Sequence, residues 1–115
     1  MSISDKQRLR TARARRTRAR MHGTAACPRL SVFRSAKHFS AQLIDDDAGR
    51  TLAAVSDKGI QAESPTAAAQ QLGVLMASQA KNIKVDCVVF DRGAYAYHGR
   101  VKAFADGARS GGLIF

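Results

Sequence analysis

The chain has 115 residues, a formal net charge of +10 and 45% hydrophobic residues, enough for one domain with a modest core. No apolar run approaches the length of a membrane span, and no apolar segment follows the basic start as a secretory signal requires. The charge is uneven: residues 1–22 hold eight bases and one acid, residues 23–115 eleven bases and eight acids. The sequence therefore divides into a basic arm, 1–22, and a near-neutral body, 23–115.

In chain order, Ser4 is placed to cap a helix running to about residue 21, with Gly23 as its stop. Close arginine spacing opposes that helix in isolation. PRLSVFRS (28–35) and HFSAQLID (38–45) read as two strands joined at Ala36-Lys37, and RTLAAVS (50–56) as a third after the turn at 45–49. Together they predict an antiparallel meander. Ser64 as N-cap and Pro65 at the first helical position open a helix to about Lys81, with Ala68, Leu72, Leu75 and Met76 on its apolar stripe. Gly73 inside that helix implies close packing. VDCVVF (85–90), apolar on both faces after Asp86, predicts a central strand covered on both sides. It should pair parallel to the first strand through the helical crossover. The last helix spans about 99–110, with Val101, Phe104, Ala105 and Ala108 facing inward, and GGLIF folds back onto the sheet. The fold class is α/β: a mixed sheet of three antiparallel strands and one parallel strand, with packed helices. Cys27 and Cys87 lack C-x-x-C spacing and read as free thiols, with a disulfide left open.

Residues 8–20, RLRTARARRTRAR, hold seven arginines and no acid. Like charges at this density repel and cannot enter a core, so another molecule must neutralise them. A membrane-surface helix needs an apolar face, and only Ile3, Leu9 and Met21 of the arm are large and apolar. Arginine suits bidentate phosphate recognition and stacking on bases. The arm therefore reads as nucleic-acid binding through Arg8, Arg10, Arg13, Arg15, Arg16, Arg18 and Arg20. A second basic group, RSAKH (34–38), lies at a hairpin tip, where Arg34, Ser35, Lys37 and His38 can meet phosphate and Phe39 can meet a base. DRGAYAYHGR (91–100) joins a strand to a helix. Its helix N-terminus can face an anion, and Tyr95, Tyr97 and His98 can stack on bases. The bland alternative there has Tyr97 packed on the sheet, Asp91 bonded to the loop backbone and an Asp91–Arg92 ion pair.

The element order also matches the ribonuclease-H-like motif, whose two-metal site requires an acid in the middle of the first strand. RLSVFRS (29–35) contains none. Asp91 would stand with no second carboxylate predicted beside it, and Asp45, Asp46 and Asp47 read as turn formers. His22, His38 and His98 have no metal-ligand spacing. Catalysis, a metal site, a cofactor and a small-molecule substrate are therefore not expected.

With these motifs in place, the chain resembles the bacterial large-subunit ribosomal protein eighteen family, which binds 5S ribosomal RNA. The resemblance rests on the basic arm, on PRLSVFRSAKHFSAQLID and above all on FDRGAYAYHGRVKAFADGARSGGLIF (90–115). In that last stretch Phe90, Asp91, Arg92, Tyr97, His98, Gly99, Arg100 and Val101 match the family pattern, as do Ala103, Ala105, Ala108, Arg109, Gly112, Leu113 and Phe115. Phe39 stands where tyrosine or isoleucine is commoner. The resemblance implies a first RNA-facing motif of Arg34, Ser35, Lys37, His38 and Gln42, and a second of Arg92, Tyr97, His98, Gly99 and Arg100. It further implies a monomeric structural component of the 50S subunit in the cytoplasmic ribosome. There it would bring 5S rRNA to 23S rRNA in the central protuberance, beside ribosomal protein five. The alternative is a general RNA-binding architectural protein or RNA chaperone.

Overall fold

The computed structural model describes residues 3–18 and 21–115, with side chains from 5 to 16 and from 21 onward. In chain order the elements are α1 (Ile3–Arg18), β1 (Arg29–Arg34), β2 (Phe39–Asp45), β3 (Arg50–Ser56), α2 (Pro65–Asn82), β4 (Val89–Asp91) and α3 (Arg100–Ser110). The four strands form one sheet in the order β3-β2-β1-β4. β1–β2 and β2–β3 pair antiparallel, and β4 joins β1 in parallel.

The expected α/β layering and the meander are thus present, and α2 begins as its sequence requires. The Ser64 side chain accepts a hydrogen bond from the Ala67 N–H at 3.1 Å, with Pro65 in the first turn. Alternation along β1 and β2 sends Leu30, Val32, Phe39, Ala41 and Leu43 inward, where they meet Leu72, Met76, Val101 and Phe104 of the two helices. The Phe39 and Phe104 rings lie 5.3 Å apart at the centre of this core. The α2 stripe is turned slightly from its expected position: Leu72 and Met76 are buried with Ala69, Gly73, Ala77 and Ala80, whereas Leu75 is exposed.

Several expectations require correction. β4 has three residues and lies at the sheet edge, not at its centre. Val85 and Val88 are buried nonetheless, because the chain terminus returns beside them: Ile114 forms a parallel bridge with Cys87, and Phe115 stacks on Phe90 at 5.4 Å. Ser4 stands inside the first turn of α1 rather than at its N-cap. Gly23 does not stop that helix; it is a docking point, where a Cβ would lie 2.3 Å from the Arg29 nitrogen and 2.7 Å from the Ile44 oxygen. Cys27 and Cys87 form a disulfide with Cα atoms 4.9 Å apart. The reason is register: β1 pairs with β4 as Arg29↔Val89, and the Val89 N–H donates to the Pro28 carbonyl, which carries residue 27 to residue 87.

The α2–α3 crossing is set by two glycines. A Cβ on Gly73 would lie 2.2 Å from the Phe104 carbonyl oxygen, and one on Gly107 the same distance from the Gln70 carbonyl oxygen. Backbone cannot yield as a side chain does, so the helices would have to separate. Gly73→Ala should therefore lower stability in urea unfolding by about 1–3 kcal/mol, despite a helix-propensity gain of about 1 kcal/mol. Reduction of the Cys27–Cys87 bond, which spans a sequence separation of 60, should cost about 2–4 kcal/mol. Urea midpoints with and without dithiothreitol measure it, and equal midpoints would show that the folded protein carries two thiols.

Candidate nucleic-acid interface

The interface is organised around Arg29, which sequence reasoning did not single out. Its guanidinium, nearly buried, donates through Nε and Nη2 to Asp46 at 3.0 and 3.1 Å and through Nη1 to Asp91 at 2.8 Å. Each carboxylate then orders a second segment. Asp46 accepts the Gly23 N–H at 2.8 Å, fixing where the arm leaves the body, and Asp91 accepts the Gly93 N–H at 2.8 Å, shaping the loop after β4. Asp91 thus bonds the loop backbone as expected, but its arginine partner is Arg29; Arg92 instead donates to the Tyr95 carbonyl at 2.7 Å. Of the three turn acids only Asp45 acts chiefly as a turn former, accepting from the N–H groups of Asp47 and Ala48. Asp47 contacts His22 at 2.6 Å, which raises the imidazole pKa above its ordinary value through that hydrogen bond and the carboxylate charge.

The hairpin tip and the 91–100 loop converge. The Ser35 N–H donates to the His38 carbonyl at 2.9 Å, and the Ser35 hydroxyl accepts the His38 N–H at 3.1 Å, closing the tip. His38 Nδ1 lies 3.2 Å from Asp57. The Tyr95 hydroxyl accepts the Arg34 N–H at 3.0 Å and donates to the Arg34 carbonyl at 3.1 Å, while the Arg34 guanidinium sits 5.3 Å from the Tyr95 ring centre. Arg100 Nη2 donates to the Ser35 carbonyl at 3.0 Å. Residues 61 and 65 positions apart in sequence thus share one surface, and Lys37 of the tip and His98 of the loop are also exposed.

α1 lies along this surface. A cleft of about 280 Å³ is lined by Arg10 together with Arg34, Ser35, Tyr95 and Arg100. A second, of about 380 Å³, lies between Arg13 and Arg16 of α1 and Arg92, Gly93 and Ala94 of the loop. Arg8, Arg10, Arg15 and Arg16 are exposed, and Arg8 pairs with Asp5 at 2.6 Å. The Arg18 side chain and Arg20 lie outside the described residues.

Not every expected contact joins this surface. Phe39 is 1% exposed and belongs to the core, so it cannot meet a base; the solvent-facing aromatic of β1 is Phe33, at 62%. Tyr97 serves the chain terminus: its hydroxyl accepts from Arg109 Nη1 at 2.9 Å, and its ring meets Phe90 edge-on. Gly99 has φ +58°, a conformation that favours glycine, as it turns the loop into α3. Gln42 is exposed on the sheet face opposite the helices, paired with Ser31.

Residues 4–115 match the family model described as Ribosomal L18 of archaea, bacteria, mitochondria and chloroplast. The chain belongs to the ribosomal L18 family. It is 51% identical over 116 residues to the large ribosomal subunit protein uL18 of Leuconostoc mesenteroides, covering 100% of this chain and 99% of that protein. The uL18 of Parvibaculum lavamentivorans is 50% identical over 118 residues, covering 98% of this chain and all of that one. As an L18-family member this is a structural, non-enzymatic component of the large subunit of the cytoplasmic ribosome.

The Arg29 contact and the Gly23 N–H hold the Asp46 carboxyl down at about 2, from an ordinary 3.8. A depressed folded-state value contributes stability above the unfolded pKa and loses it as pH falls through the folded one. The contribution is thus complete above 3.8 and fades toward about 2. Asp46→Asn should be about 1.5–3 kcal/mol less stable at neutral pH and should lose less stability than the parent across that acid range. Chemical denaturation at stepped pH measures both.

Proposed function

We propose that this large-subunit protein binds 5S rRNA and helps attach it to 23S rRNA in the central protuberance, beside ribosomal protein five. The observation that carries this reading is the convergence of arm, hairpin tip and loop on one cationic surface, with Arg10, Arg34 and Arg100 around a single cleft. Phosphate contacts supply affinity without reading sequence. Discrimination among RNAs requires a rigid surface that recognises shape and unstacked bases. The Tyr95–Arg34 and Arg100–Ser35 hydrogen bonds supply that rigidity at the body's half of the surface. The residues assigned from the sequence divide accordingly: the arginines of the arm neutralise phosphates, and Arg34, Lys37, His38, Arg92, His98 and Arg100 of the body set the fit.

The test is a titration with 5S rRNA and with tRNA across a salt series. The parent should prefer 5S rRNA at every salt. If roughly six to ten phosphates are neutralised, its affinity should fall by roughly three to five decades from low to moderate salt. Replacing Arg13, Arg15 and Arg16 together by Gln should weaken both RNAs alike and reduce the salt slope by up to about three. Replacing Arg34 and Arg100 by Gln should instead erode the preference for 5S rRNA. Equal parental affinity for both RNAs would favour a general architectural binder or RNA chaperone and overturn the 5S reading.

A further inference from the structure

The structure points to a slot for one unstacked nucleobase between α1 and the uncovered face of the sheet, with Phe33 as its stacking surface. We infer this from four features, and the inference rests on the RNA-binding reading above.

First, the helices cover one face of the sheet only. Strand alternation puts Leu30 and Val32 into the core and turns Ser31 and Phe33 outward. A single exposed apolar residue is ordinary, so the exposure of Phe33 carries nothing by itself. Second, Phe33, though 62% exposed, also lines a cleft of about 580 Å³, whose floor is β1 and whose walls are α1 and the loop after β4. That volume falls within the range of about 300–1,000 Å³ found for clefts that hold small ligands. Gly93 and Ala94 keep the loop wall low, and Ala14 does the same on the helix side.

Third, the polar groups suit a base. An aromatic ring offers a π-face to any base, and Ser31 and Thr11, which also line the cleft, carry hydroxyls able to bond a polar base edge. Gln42, opposite Ser31 across the strand pair, extends that edge with both a donor and an acceptor. Fourth, the charge is of one sign. Arg10 and Arg15 stand on the α1 wall, and no acidic side chain lines the cleft. A base inserted beside Phe33 would therefore leave its phosphates between cations. Tyr95, held by its hydroxyl to the Arg34 backbone, fixes the far end of the slot. Sheet-borne aromatics that stack splayed-out bases are an established solution to single-strand RNA recognition, and this geometry is a compact version of it.

The chain contains no tryptophan, so F33W installs a unique fluorophore at the slot, and the outward position keeps the substitution clear of the core. Emission is followed while the F33W protein is titrated with 5S rRNA, with tRNA and with a blunt RNA duplex that offers no unstacked base. Affinities of F33A, F33L and F33W are measured in parallel, and matched melting curves confirm folding. The slot predicts quenching by 5S rRNA and none by the bound duplex. It also predicts a loss of roughly five- to a hundredfold in 5S rRNA affinity for F33A, similar weakness for F33L, and near-parental affinity for F33W. Unchanged emission with 5S rRNA bound, equal quenching by the duplex, or an F33A as tight as the parent would overturn the slot and leave the 5S reading standing. Conversely, equal parental affinity for 5S rRNA and tRNA, with quenching by tRNA but not by duplex, would overturn the 5S reading and support the slot.

Discussion

One buried guanidinium holds the two halves of this surface in relation to each other. Arg29 bridges Asp46, in the β2–β3 turn, and Asp91, at the end of β4. Taking three charges from water is costly, and the arrangement persists because every group is answered by a directed hydrogen bond. The planar fork of arginine lets one side chain address two carboxylates at once, which a lysine ammonium does not reproduce. Because Asp46 also holds the Gly23 N–H and Asp91 the Gly93 N–H, this one ion cluster fixes both the origin of the arm and the shape of the loop beneath it.

From that anchor the distribution of charge follows. The acids of the 45–47 turn lie at one end of β2 and the hairpin tip at the other. The tip and the loop are therefore left basic, apart from Asp57 beside His38. Hydrogen bonds on this surface run largely from side chains to backbone, as with Arg92, Tyr95 and Arg100. Such contacts position a guanidinium without neutralising it, so its charge remains available to phosphate. A protein whose partner is polyanionic gains from that economy of pairing, whereas its own stability rests on the core between sheet and helices.

On the proposed function, arm and body contribute differently to recognition. α1 carries arginines along its length, and like charges at helical spacing destabilise an isolated helix. Its arginines suit long-range attraction and phosphate neutralisation. The body is a close-packed layer in which Gly73 and Gly107 bring α2 and α3 into backbone contact, and it presents the tip and the loop with little freedom to adapt. On the proposed function, affinity from the arginine-rich half and selectivity from the close-packed half is the division that shape-based RNA recognition requires.

Much of this was legible in the sequence alone. Two-residue alternation determined the meander, Ser64-Pro65 the start of α2, the spacing of Val101, Phe104 and Ala108 the buried face of α3, and the arginine run the concentration of positive charge along α1. These are local signals: each depends on residues within a few positions of one another. Tertiary structure alone decided which face of each strand is covered, which put Phe39 in the core and left Phe33 outside. It decided that β4 is an edge strand, that Cys27 meets Cys87, and that Arg29 pairs with acids 17 and 62 positions away. Register and layer order depend on which distant segments pack together, and no spacing within a single segment encodes that.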